Sequence, residues 1–549
     1  MRRFLVSALA MCSLGSLNAA DYSIPAPMAM PDEGAYAVAV LPDLLTTLSR
    51  VEALMELFTP GQVKAGQLKM GLGAMLGDMD LANFAGKPIV IVVGPGAPTP
   101  SFAIIIPAKN PQLYLDAGVN FGMLLGKAEG GLAIMTQTPD GEILGEKIAK
   151  VYPALMQALP KGDIRLLVSP DKLVAAYGGM LGMMAQMAAA QGGQPEAAKI
   201  LGLEVAGLMA MAADVASVQM DFKLDPAGSV GQEITVNAKP GTALAKALVA
   251  PAPANGQRAA ARLSNEPSLM GMSGRVNWSA WSQYVSKIMG DLKAKPEAAG
   301  IITDELIKAT GDWGAGLSGD FAFTMRSVEG APLPFQWEGL YACADVAKAE
   351  ASIMSLVGQM SGDSALGKLY NDMGVTMEFA KAARTSPSGV AVHKMSVNID
   401  PAKVPPEQVN QMKMMSSYEL AVTKGWVVMA QESIALDALI AGTGKGMTVQ
   451  ADKLLGAERQ AYFDLDLLGF IKAAMKMAGT GMEGMIPASK PGNAMGGAMT
   501  SGEGKALFEL RIPLAPFADM AKAFGGGGGG RGGRGGANKA PPPDQNPAF

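Results

Sequence analysis

The chain has 549 residues, a formal net charge of −4, one histidine and two cysteines. This length allows a few domains or one large duplicated one, and the acidic balance argues against a general attraction to nucleic acid or anionic lipid. A single histidine leaves little room for His-based metal sites or for several histidine-dependent catalytic arrangements.

The chain opens on MRRFLVSALAMCSLGSLNAADYS. Two arginines, an apolar run from Phe4 to Leu17 and a stretch of small residues predict a signal peptide over residues 1–20, cleaved after Ala19 or Ala20. LAMC, Leu9 to Cys12, loosely resembles a lipoprotein box. Met11 before the cysteine fits that box poorly and the apolar run continues beyond it, so no lipid anchor is expected. Removing this segment removes Cys12, and Cys343 then has no intrachain partner. No stretch of eighteen uninterrupted apolar residues follows, so no transmembrane segment is expected. The predicted location is periplasmic or extracellular.

Four stretches share one pattern, an alternating strand, a polar break and an amphipathic helix. They are AYAVAVLPDLLTTLSRVEALM from Ala35, DIRLLVSPDKLVAAYGGMLGMM from Asp163, MGMSGRVNWSAWSQYVSKIMG from Met270 and AYFDLDLLGFIKAAMKMAG from Ala461. Aligned on the break, Asp43, Asp171, Ser279 and Asp466 are the expected helix caps. Each stretch is followed by a hairpin, or at least its second strand, running into another helix. Another hairpin is expected to turn at Lys424-Gly425. The predicted fold is α+β, antiparallel sheets with helices packed on one face, built from diverged strand–helix and hairpin–helix units in two halves. The halves are residues 21–250 and 258–524, joined by PAPANGQ at 251–257, with extra sequence in the second from Gly358 to Met415. Residues 479–504, rich in Gly and Met, read as a long mobile loop. The Gly/Pro-rich tail, 525–549, reads as disordered.

Several motifs invite a chemical reading. Ser169-Pro-Asp-Lys172 is an S-x-x-K, the spacing that places a nucleophilic serine one helical turn from a lysine in penicillin-recognising enzymes. Ser396-Val-Asn398 and Lys490-Pro-Gly492 stand where that family has S-x-N and K-[TS]-G. Pro491 cannot supply a strand N–H there, and in the aligned units Ser169 falls opposite Leu41, Asn277 and Asp464. Lys172 likewise falls opposite Leu44, Ala280 and Leu467, so the unit requires neither residue. AGTGKGM, Ala441 to Met447, lacks the P-loop spacing and reads as a helix C-terminus. His393 is expected at an exposed or edge strand position, and Cys343 as a small buried strand residue. Trp278, Trp281 and Tyr284 form an aromatic patch whose helical spacing reads as core.

Methionine is abundant, with 39 residues. Met180, Met183, Met184 and Met187 form one helical stripe, read as core. Met475, Met477, Met482, Met485, Met495 and Met499 lie in or beside the 479–504 loop, where thioethers could hold Cu(I).

The signal peptide, the LPDLL-like junctions and the strand–helix alternation give a chain that resembles exported bacterial proteins of unknown function built from repeated strand–helix modules. That resemblance implies no activity and transfers no functional residue. The expected function is therefore an exported, non-enzymatic binding or structural protein with an apolar small molecule, a lipid, a hydrophobic peptide or an envelope protein as partner. No catalytic residue, metal ligand or cofactor is assigned. The alternatives are a serine hydrolase using Ser169 and Lys172, and Cu(I) binding by residues 479–504.

Overall fold

The computed structural model describes residues 34–525, apart from short interruptions of which the longest are 250–257, 410–416 and 448–458. The expected signal peptide, the joint at 251–257 and the tail beyond Gly525 lie outside the described residues.

The first half runs β1 (Ala37–Leu41), α1 (Leu44–Phe58), α2 (Gln67–Leu76), β2 (Ile89–Gly94), β3 (Ser101–Pro107), α3 (Pro111–Val119), β4 (Leu125–Glu129) and β5 (Leu132–Thr136). It continues through α4 (Pro139–Gln157), β6 (Ile164–Val168), α5 (Pro170–Gln191), α6 (Pro195–Asp214), β7 (Val215–Asp225), β8 (Ser229–Ala238) and α7 (Ala243–Ala247). The second half runs β9 (Met270–Arg275), α8 (Trp278–Lys293), α9 (Asp304–Asp312), β10 (Leu317–Ser327), β11 (Phe335–Cys343), α10 (Val346–Met360), α11 (Ala365–Asp372), β12 (Val375–Thr385) and β13 (Ala391–Ile399). It ends with β14 (Tyr418–Thr423), β15 (Trp426–Ala430), α12 (Ser433–Ala441), β16 (Ala461–Leu465), α13 (Leu467–Met477), β17 (Met495–Gly502), β18 (Lys505–Pro513) and α14 (Ala515–Gly525).

The eighteen strands among the described residues form one antiparallel sheet. Strand pairing gives the order β4-β5-β3-β2-β1-β6-β7-β8-β18-β17-β16-β9-β10-β11-β15-β14-β13-β12. The last strands of the two halves meet at its centre, where β8 and β18 pair from Asn237↔Lys505 to Ser229↔Pro513. The element order and the sheet order of the first half recur in the second. Among the described residues the differences are one α-helix fewer between β16 and β17, and an addition, α11 with the β12–β13 hairpin, inside the stretch where extra sequence was expected. The terminal helices cross over: α7 packs on α8, and α14 packs on α1.

The junctions follow from local chemistry. Asp43 caps α1, its Oδ1 accepting from the N–H groups of Leu45 and Thr46 at 3.0 and 3.2 Å. Asp466 does the same for α13 through Gly469 N–H at 3.0 Å. The other two expected caps are corrected. Asn277, not Ser279, caps α8 by accepting from Ala280 N–H at 3.1 Å. Pro170, not a residue after Asp171, opens α5, because proline suits the first helical position, where no N–H is needed. Ser169 therefore stands at the cap position, and Asp171 lies within the first turn.

Helices cover both faces of the sheet rather than one. In the first half Leu144, Ile148 and Tyr152 of α4 pack with Val90, Val92, Ile105 and Ile134. The alternate residues Ile89, Ile106, Ala133 and Met135 pack on the opposite face with Tyr114 and Ala117 of α3. In the second half α12 lies on one face with Leu340 and Val428, and Ala349 of α10 on the other with Cys343 and Val427. The reason is in IVIVV and AIII, which are apolar at both parities and so bury both sides of a strand.

Two further expectations are corrected. Residues 495–502, taken into the mobile loop, form β17, which pairs with both β16 and β18. Its glycines hide the strand pattern, yet one of them, Gly497, leaves room for the Phe463 ring across the ladder. His393 is 2% exposed, not at an edge, because β13 is flanked by β12 and β14. Cys343 is buried in β11 as expected.

Candidate functional site

The S-x-x-K stretch was the most explicit chemical motif. Ser169 is buried at the end of β6, and its N–H donates to Tyr36 O at 2.9 Å. Its hydroxyl donates to Asp171 Oδ1 at 3.2 Å. The ammonium in this cluster is that of Lys239, 2.8 Å from Asp171 Oδ2. Lys172 contributes its backbone N–H to Asp171 Oδ1 at 2.8 Å. Burial pushes the Asp171 carboxyl up, but the bonds and charge of Lys239, the Lys172 N–H and the Ser169 hydroxyl outweigh it and hold the group below the usual carboxylate range. Ser169 thus hydrogen-bonds a carboxylate rather than the Lys172 amine. Ser396 and Asn398 lie on β13, next to the far edge of the sheet. Lys490 pairs with Asp519 on the surface at 2.8 Å. The three motifs are on separate parts of the fold. AGTGKGM begins where α12 ends, with Gly442 in the left-handed region at φ 70°, as a helix C-terminus requires.

The methionine stripe is displaced from its expected place. Met180, Met183 and Met187 are 50%, 55% and 51% exposed. α5 is held against α6 with Gly178 turned toward Met209, so these methionines project away from that contact. The stretch from Leu173 to Ala190 carries no charged residue, and a helix apolar on every side gives no phase from which to choose a buried face. The candidate copper loop divides as well. Met499 is buried in β17, while Met482 and Met485 are exposed.

The structure adds a site that motif reading did not find, an apolar cavity of about 160 Å³ where the halves meet. Met211 of α6, Val215 of β7, Val236 of β8 and Leu244 and Leu248 in and after α7 supply one side. Trp281 and Tyr284 of α8 with Ala506 and Phe508 of β18 supply the other. The space is partly open to solvent, and its volume matches the roughly 150 Å³ that holds a benzene-sized molecule in an apolar cavity, so by size it suits a single ring or a short branched chain. Trp281 and Tyr284 were read as core from their spacing, and they are 8% and 2% exposed. The remaining wall comes from elements distant in sequence, which no local motif reveals. The Tyr284 hydroxyl is buried with no hydrogen-bond partner among the described residues. Burial, then the charges of Asp214 and Asp291, push its pKa up, so it stays a neutral O–H at physiological pH.

Among the described residues no group of three or more His, Cys, Asp or Glu could hold a metal ion, and no helix is long and apolar enough to cross a membrane. No protein-family model, curated protein or solved structure matches the chain.

Proposed function

We propose that this chain is an exported, non-enzymatic binding protein whose ligand is a small apolar molecule seated between its halves. The observation that carries this reading is the cavity between α6, α7, α8 and β18, lined through apolar atoms. Its walls come from both halves, so an occupant would couple the packing of one to the other. We read the recurrence of element and sheet order as a duplicated module, with the cavity beneath its seam. The N-terminal sequence supports export, and the Ser169–Asp171 hydrogen bond supports a structural rather than nucleophilic serine.

The test is occupancy by benzene or toluene. Ligand that binds only the folded state raises the thermal midpoint, and Trp281 in the wall gives a fluorescence signal. The expected result is a saturable midpoint rise that Ala506→Leu removes by filling the space. An unchanged midpoint at saturating benzene and toluene, with no fluorescence change, rejects the reading. N-terminal sequencing of the mature protein tests export separately, with Ala20 or Asp21 expected as the first residue.

A further inference from the structure

We propose that the molecule seated in the cavity carries one neutral hydroxyl on its apolar body, a phenol or a small aromatic alcohol, and that Tyr284 and Asp214 hold that group. The proposal rests on the reading of the cavity as a ligand site and names the class of its ligand. Two oxygens at this place are buried without a hydrogen-bond partner, the Tyr284 hydroxyl and Asp214 Oδ2. Tyr284 is itself a wall residue, and Asp214 stands in the chain between the wall residues Met211 and Val215. The charge of Asp214 acts on Tyr284. Lys287, one turn beyond Tyr284 on α8, pairs with Asp291 at 2.7 Å and leaves that oxygen of Asp214 unbonded. Most buried polar atoms in folded proteins have a partner, because an orphan costs its lost hydration. Two such oxygens at one cavity are what a polar ligand group would satisfy.

The donor and acceptor pattern selects the class. An ionised carboxylate only accepts, whereas a tyrosine hydroxyl both donates and accepts. A ligand hydroxyl meets both at once, donating its proton to Asp214 Oδ2 and accepting from Tyr284. A carbonyl or an ether would leave Asp214 without a donor. A carboxylate would add a negative charge beside those of Asp214 and Asp291. An ammonium donates to both oxygens but carries the cost of burying a full charge. In the empty protein the lining is apolar and both oxygens are covered. Met211 lines the cavity one turn before Asp214 and is half-buried. Rotation about its three side-chain bonds is the movement that uncovers them.

The experiment is isothermal titration calorimetry of the whole protein and of Tyr284→Phe with phenol and with benzene, which fits the same space and makes no hydrogen bond. Phenol is expected to bind the wild type at least as tightly as benzene, despite its stronger hydration. Tyr284→Phe is expected to lower the ratio of phenol to benzene affinity at least fivefold, the scale of leaving a buried polar group unpaired. The ratio cancels any change in the shape of the cavity. The substitution removes no hydrogen bond of the empty protein, so the variant is expected to fold. A ratio that Tyr284→Phe leaves unchanged overturns the proposal, while benzene binding then still sustains the cavity reading. Tighter binding of benzylammonium than of phenol overturns it as well. Binding of neither benzene nor phenol rejects both the proposal and the reading beneath it.

Discussion

His393 Nδ1 accepts a hydrogen bond from the backbone N–H of Ala382 at 3.1 Å. Ala382 has φ 49°, a left-handed conformation that costs a residue with a Cβ. It lies within the register shift between Ala380 and Arg384 on β12. The imidazole thus pins a β-bulge, and only a ring with an unprotonated Nδ1 can do so.

A pH dependence follows. Burial lowers the His393 pKa below its ordinary 6.5; Glu350 opposes the shift and Lys381 adds to it. The folded state therefore takes up a proton less readily than the unfolded chain. Its stabilising contribution is complete above pH 6.5 and is lost as pH falls through the folded value. Urea midpoints measured from pH 7.5 down to 5 are expected to decrease, with His393→Gln showing a shallower fall. Equal slopes in the two proteins would mean that other groups set the dependence.

The bulge also aims Arg384. Its Nη2 lies 2.6 Å from Glu419 Oε2 on β14, and its Nη1 lies 2.9 Å from Asp437 Oδ1 on α12. Burial raises the Glu419 pKa, but the hydrogen bonds of Arg384 and Ser433 and nearby positive charge outweigh it. Arg384→Met is expected to cost about 1.5–3 kcal/mol, the range for hydrogen bonds to charged groups, read from chemical denaturation. A loss within error of zero would show the bridge to be neutral.

Gly497 on β17 stands opposite Phe463 on β16, and a Cβ at Gly497 would overlap the Phe463 ring. Gly497→Val is expected to destabilise by about 1–3 kcal/mol, the usual cost of overpacking. Combining it with Phe463→Ala is expected to give a cost below the sum of the singles. Full additivity in that double-mutant cycle would contradict the contact.

Leu248 is 2% exposed and borders the apolar cavity. Leu248→Ala is expected to cost about 2–5 kcal/mol and to enlarge the space, so that toluene restores more of the thermal midpoint than in the wild type. Restoration no greater than in the wild type would place Leu248 outside the binding wall.

Much of the architecture was legible where local chemistry acts alone. Lys424-Gly425 is the two-residue turn of the β14–β15 hairpin, with Thr423 pairing Trp426 and Gly425 at φ 96°, a positive φ that glycine adopts at the second central position of a type II turn. Asp43 and Asp466 were readable as caps for the same reason. The failures arise where a partner from elsewhere decides the outcome. β17 escaped notice because MGGAMTSG looks like a loop until Phe463 covers Gly497. His393 became an interior residue because β12 and β14 flank β13 on either side. The stripe at Met180 faces outward because α6 takes the other side of α5. The cavity was the least legible feature, since six elements from both halves build it.

The central β8–β18 ladder has a consequence for synthesis of the chain. β8 pairs with β7 early, but its second neighbour is β18, the last strand translated among the described residues. Until then the nascent first half carries an open edge of backbone donors and acceptors, able to recruit a strand from another molecule. Protein lost to aggregation should therefore rise steeply in chains truncated before Lys505, even when every residue of the first half is present.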